Sequence, residues 1–294
     1  DVYKRQVPTV DRWGWISGIA MTPAADRVVV VAADDSDTTS SVSVWDTSTG
    51  AKVNSLFEGA LAKGSVDVST NGRLVAVAVC NRPGPTAYVW NVASGERVFA
   101  SPAGDCGQSV DLDPSGRLLA VQSLDKSQPN VRVWDIDTGD EVLAGRHQPA
   151  WIGAVRFSPD ASQLLTGGSD GTLRLWDVAT GNLVRTFTGH TGAVEDAGWS
   201  SDGSMVVSGS HDRTARLWDA VTGETILILE AHETWPLVEL VPERSHLVTS
   251  TPGSVRVWTL DVEELIEIAR ERVPRSLTTA ECLTYHFEVC PPAP

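Results

Sequence analysis

The chain carries 294 residues with a formal net charge of −15 and 41% hydrophobic residues. Its acid excess excludes a protein that grips nucleic acid through a basic stripe, and no apolar run approaches the roughly 18 residues of a membrane-spanning helix. Four cysteines are too few to staple a chain of this length, which must bury an ordinary apolar core instead.

Residues Asp1-Val2-Tyr3-Lys4-Arg5-Gln6 resemble the in-frame translation of the transposon mosaic end used to tag DNA for sequencing. Residues 1–6 are therefore set aside as a non-native scar, and the natural N-terminus is expected to be missing. From there, Trp45, Trp90, Trp134, Trp176, Trp218 and Trp258 recur at about 40–45 residues, the period of one four-stranded propeller blade. The first five sit in a W-[DN]-x-x-[ST]-G frame, from Trp45-Asp46…Gly50 to Trp218-Asp219…Gly223, and the sixth breaks it at Thr259.

The fifth repeat shows the expected unit most clearly. Ala193 to Trp199 reads as a first strand, Ser201-Asp202-Gly203 as its turn, and Met205 to Ser208 as a second strand with Val206 and Val207 inside. His211-Asp212-Arg213 turns the chain into a third strand from Thr214 to Trp218, which alternates with period two. Thr222-Gly223 turns it again into an outer strand, Glu224 to Leu229. In the first three repeats, longer polar stretches (DDSDTTSS, CNRPGPT and SLDKSQPN) separate the second and third strands and read as extended loops.

After Trp258 the period changes. Asp261 with Glu264 forms a capping box, and Val262, Leu265, Ile266 and Ala269 share one helical face. Pro274 ends that helix, and Thr278 with Glu281 opens a second, short one toward His286. The sixth repeat thus has no outer strand of its own. Six blade-like units are expected, either closed by the segment Val7–Arg12 or left open. The expected organisation is a scar at 1–6, an N-terminally truncated all-β propeller at 7–260, and a helical tail at 261–294.

Cys282, His286 and Cys290 supply only three ligands, so no metal is expected; a Cys282–Cys290 bridge suits an oxidising compartment and free thiols a reducing one. Cys80 and Cys106 are expected to be buried free thiols. No phosphate-binding glycine loop or paired acid/base set appears, and no cofactor is expected. A propeller enzyme would need acidic or metal-binding residues converging on the central channel, and the repeats show no such set.

The repeats resemble the WD40 family over about residues 13–260. In that family a buried tetrad joins His, Ser/Thr, Asp and Trp within a blade. The resemblance places it at His147, Thr166, Asp170 and Trp176 in the fourth repeat, and at His190, Ser208, Asp212 and Trp218 in the fifth. In the sixth, His232 and Trp258 remain but Pro252 replaces the aspartate; the first three lack the His and Asp and are expected to be looser. Ser208, His190 and Asp212 have the residue types of a hydrolase triad. Two copies of the set, and no G-x-S-x-G elbow to present the Ser208 hydroxyl, make it a packing network rather than a catalyst.

The resemblance also implies a partner-binding rim where the chain leads into each first strand and where it turns before the tetrad aspartate. Trp15, Trp151, Trp235, Glu195 and His211 fall there, and exposed tryptophans at such a rim are interface anchors. The tail LTTAEC…Y…CPP is similar to the end of large actinobacterial-type signalling proteins, in which a WD40 array follows an NTPase, transcriptional-activator or kinase module. The expectation is a cytoplasmic, non-enzymatic binding or scaffolding module for a protein or peptide partner, with no membrane and no nucleic acid. An exported structural or assembly propeller is the alternative.

Overall fold

The computed structural model describes residues 15–33, 40–59, 65–80, 84–104, 107–123, 131–145, 152–230, 233–241 and 246–261. Residues 1–6, the segment Val7–Arg12, Trp151, His147, His232, Cys106 and the expected tail helices all lie outside the described residues. Every described element is a β-strand. The strands fall into five four-stranded antiparallel meanders and one three-stranded meander, each formed by strands consecutive in sequence except in blade 2, where the two-residue strand Gly84–Pro85 comes between the second and third. We number these sheets blades 1 to 6.

Blade 5 follows the expected boundaries within two residues: Val194–Trp199, Met205–Ser210, Ala215–Asp219 and Thr225–Leu229. Among the described residues blade 6 has three strands, Leu237–Val241, His246–Thr251 and Ser254–Thr259. Part of the second polar stretch is not loop. Gly84–Pro85 pairs antiparallel with Ala103–Gly104, a two-residue ribbon at the edge of blade 2.

The W-[DN]-x-x-[ST]-G frame has a local physical cause. In blade 1 the Asp46 carboxylate accepts the amides of Ser48 and Thr49 at 3.0 and 2.9 Å, while Gly50 N–H closes on the Asp46 carbonyl at 2.8 Å. That closure puts the glycine at φ +69°, a conformation where a side chain is strained. The same closure recurs at Gly95, Gly139, Gly181 and Gly223, so the frame is a turn signature linking third and outer strands.

Each blade buries its apolar faces against the next. Five shared cores join blades 1–2, 2–3, 3–4, 4–5 and 5–6, and among the described residues none joins blade 6 to blade 1. First strands of successive blades pack on one another, which makes them the inner strands. Val30, Val77 and Val121 occupy the tetrad hydroxyl position in blades 1 to 3, so these blades replace a polar link with valine. Cys80 corrects one expectation: it is disulfide-bonded, not a free thiol.

Candidate functional site

The blade 5 tetrad forms a continuous hydrogen-bonded chain. Trp218 Nε1–H donates to Ser208 Oγ at 2.9 Å, and Ser208 Oγ meets His190 Nε2 at 2.8 Å. His190 Nδ1 meets Asp212 Oδ2, also at 2.8 Å. Burial lowers the His190 pKa, so the ring is neutral near pH 7. A neutral ring with its proton on Nδ1 satisfies every group: the hydroxyl donates to Nε2 and the ring donates to the carboxylate. Burial works to raise the Asp212 carboxyl, but hydrogen bonds from Thr214, His190 and the Thr191 amide outweigh it and hold it at about 2.

This chain fixes two segments at one end of the blade: the approach to the inner strand and the turn between second and third strands. Ser210 Oγ donates to the Gly192 carbonyl at 3.0 Å, and His211 N–H donates to the Ala193 carbonyl at 2.8 Å. A Cβ on Gly192 would stand 2.6 Å from the Asp212 nitrogen, so the two segments touch backbone to backbone.

On this platform stand three of the rim residues named from the sequence. Glu195 Oε1 is bonded to His211 Nε2. The His211 ring stacks on Trp235 with centroids 4.7 Å apart and planes 11° from parallel. Trp235 comes from blade 6, on a segment pressed so tightly to blade 5 that a Cβ on Gly209 would lie 2.0 Å from the Pro236 carbonyl oxygen. With one face covered by His211, Trp235 is still 44% exposed. Trp15 opens the inner strand of blade 1, opposite Ala33, and Trp151 lies outside the described residues.

Blade 4 carries part of the same network. Trp176 Nε1–H donates to Thr166 Oγ1 at 2.9 Å. Asp170 accepts Thr172 and also Arg174 Nη2 at 2.7 Å, a cation the sequence reading did not pair with it. In blade 6 Trp258 Nε1–H donates to Thr249 Oγ1 at 2.9 Å. In blade 1 the indole of Trp45 donates instead to Ser43, two residues back on its own strand.

The expectation that no acidic set converges on the centre is corrected by the structure. Asp67, Asp111, Arg156, Asp196 and Glu239 sit on the inner strands of blades 2 to 6, and their charges act on one another. Three of the acids tie a blade to its successor. Asp67 accepts Leu112 N–H at 2.8 Å, Asp111 accepts Phe157 N–H at 2.6 Å, and Asp196 accepts Val238 N–H at 3.0 Å. An inner strand is a sheet edge with free N–H groups, and buried ones need a partner. Arg156 bonds Asp196 at 3.3 Å.

Burial, reinforced by the charge of Asp67, pushes Asp111 well above the usual carboxylate range. Burial likewise raises Asp67, Asp196 and Glu239. The sequence did hold a signal: a charged residue between two apolar ones at one register of the inner strand, as in Val66-Asp67-Val68, Val110-Asp111-Leu112, Val155-Arg156-Phe157 and Val238-Glu239-Leu240. Among the described residues no three His, Cys, Asp or Glu side chains are placed to share a metal ion.

Six stacked antiparallel meanders with inner strands converging on a charged centre define a β-propeller repeat protein. The WD domain, G-beta repeat model matches residues 142–177 and 181–219, each match taking the outer strand of one blade and the first three strands of the next, and the chain carries WD40 repeats there. No curated protein matches it. WD40 repeats mediate protein–protein interaction or scaffolding, and they are typically non-catalytic. No helix of the described residues is long and apolar enough to cross a membrane.

Proposed function

We propose that this protein is a non-enzymatic binding module that holds a protein or peptide partner at the rim of blades 5 and 6. The Glu195–His211–Trp235 cluster carries this reading. A large aromatic ring is held rigidly on one face and left open on the other, which is the form of an interface anchor with little entropy left to lose. The tetrad beneath supplies the rigidity. Trp15 and Trp151 are proposed as further anchors on the same rim, and the parent protein as a bacterial signalling protein with an NTPase, activator or kinase module upstream.

The test is affinity capture from the source cells, with partners identified by mass spectrometry and binding then measured with the purified partner. Trp235→Ala is expected to weaken binding by about tenfold or more and to leave thermal unfolding unchanged. A partner bound equally well by Trp235→Ala and His211→Ala would overturn the reading.

A second reading, an exported assembly protein, is favoured by one observation: Cys80 is in a disulfide, and disulfides persist in oxidising compartments and are rare in the cytosol. Thiol alkylation of the protein in its native cells separates the two. A protected Cys80 supports export, and a freely alkylated one supports the cytoplasmic reading.

A further inference from the structure

A groove of about 490 Å³ opens between blades 5 and 6. It lies at the Ser200–Asp202 turn of blade 5, the far end of the strands from His211 and Trp235. Its walls are mainly apolar: Met205, Leu217, Ile226 and Leu227 come from blade 5, Leu240 and Leu260 from blade 6.

Two departures from the neighbouring junctions leave it open. Phe157, Trp199 and Leu240 stand at one register of the inner strand, opposite Leu164, Val206 and Leu247. The rings of Phe157 and Trp199 pack into the junctions of blades 3–4 and 4–5, whereas the smaller Leu240 leaves that volume unfilled at blades 5–6. The second departure follows the third strand. Val92, Ile136, Val178 and Ala220, each two residues past the blade tryptophan, are at most 8% exposed. Leu260 holds the same place and is only partly buried, as a wall of the groove.

We propose that the occupant of this groove is the chain's own segment 262–273, docked as an amphipathic helix. Thr259 and Leu260 line the groove, so the segment begins at its edge, with Val262 within about 7 Å of Leu260 along the chain. At helical spacing Val262, Leu265, Ile266, Ala269 and Val273 form one apolar stripe, and Glu263, Glu264, Glu267 and Glu271 fall on the other side. The stripe matches the apolar walls, and the acidic side stays in water. Because the segment is tethered there, it meets the groove at a roughly millimolar effective concentration, which a free partner must exceed. Seated in the groove, the helix ties together the two blades whose residues His211 and Trp235 stack on one another.

The chain's two methionines provide the test. Met205 lines the groove, and Met21 lies on the inner strand of blade 1, 55% exposed. Peroxide converts an accessible thioether to its sulfoxide, and mass spectrometry on the full chain reads the two rates separately. Leu265→Asp with Ile266→Asp is expected to speed Met205 oxidation by about tenfold, as local protection is lost, and to leave Met21 unchanged. An unchanged Met205 rate would overturn the proposal. Equal acceleration at both methionines would overturn it too, since the segment would then act on the whole fold rather than on this groove.

Photo-crosslinking from a benzophenone-bearing phenylalanine in place of Ile266 locates the docked segment. Adducts to Met205, Ile226 or Leu227 of the same chain are expected. Adducts confined to other surfaces would overturn the assignment of the groove, and adducts joining two copies would overturn it in favour of self-association.

Discussion

Replacing Ser208 by alanine removes one hydroxyl and strands two buried groups. Ser208 is fully buried, Trp218 is 1% exposed, and the His190 side chain is inaccessible. Without the hydroxyl, the Trp218 N–H loses its acceptor at 2.9 Å and the His190 Nε2 loses its donor at 2.8 Å. Each orphaned buried group costs about 1–3 kcal/mol, so Ser208→Ala is expected to cost about 3 kcal/mol in urea-induced unfolding. Thr249→Val in blade 6 is the matched control, because among the described residues that hydroxyl's partner is the Trp258 N–H. One orphan in place of two gives about 1 kcal/mol. The pair Ser208→Ala and Trp218→Phe should also be non-additive by about 1 kcal/mol, since they share a bond. Equal costs for Ser208→Ala and Thr249→Val, or additive behaviour in that pair, would refute the account of the tetrad as one connected network.

Arg156→Met should destabilise the protein by about 2 kcal/mol at pH 7, less than the roughly 3–5 kcal/mol for breaking a fully buried pair, because the guanidinium is 35% exposed. Its sign with pH follows from Asp67, Asp111, Asp196 and Glu239, whose carboxyls titrate above their ordinary values. Groups with raised values give stability that is complete below their unfolded values and lost as pH rises through the folded ones. The variant's deficit should therefore shrink as pH falls from 7 toward 4 in thermal unfolding; a deficit that grows would contradict the central cluster. Cys80→Ser should cost about 2–4 kcal/mol, and non-reducing peptide mapping should join Cys80 to Cys106. Gly107 N–H bonds the Val79 carbonyl at 2.8 Å, and a different partner would refute this pairing. Ala161 and Arg213 hold φ of +59° and +68° where sister blades carry Gly203 and Gly171. Glycine at either position should raise stability by about 0.5–1 kcal/mol, and a loss in urea unfolding would contradict the strain argument.

How much of this was legible from sequence depends on whether the signal was local. The turns and strands of blade 5 were readable because hydrogen bonds within four or five residues set them, as at Asp219 and Gly223. Trp235, His211 and Glu195 could be named one by one from their positions relative to the tetrad. Their meeting could not, because it depends on how closely blade 6 approaches Gly209. The central charges were missed for a related reason. Each looks like an ordinary polar residue on an alternating strand, and only stacking the repeats in register shows that Asp67, Asp111, Arg156 and Glu239 share one position. Cys80 gave no local sign of its bond.

The same distinction explains how the chain carries so much negative charge without that charge naming a partner. Its carboxylates divide by what they cap. Asp160, Asp177, Asp202 and Asp219 are held below the usual range, each foremost by a hydrogen bond within its own turn: from Ser158, Thr180, Ser200 and the Thr222 amide respectively. These groups are surface turn-formers, and their charge is already engaged with backbone. At the centre Asp67, Asp111 and Asp196 spend their oxygens on the free edges of neighbouring inner strands. Part of the acidity is thus accounted for by the fold's demand for amide acceptors at turns and sheet edges. What remains distinctive at the surface is apolar and aromatic: the open face of Trp235 at the rim, and the exposed isoleucines and valines of blades 1 and 6. Recognition by this protein is therefore to be sought there first, and a binding partner whose affinity depended chiefly on salt rather than on Trp235 would argue against that ordering.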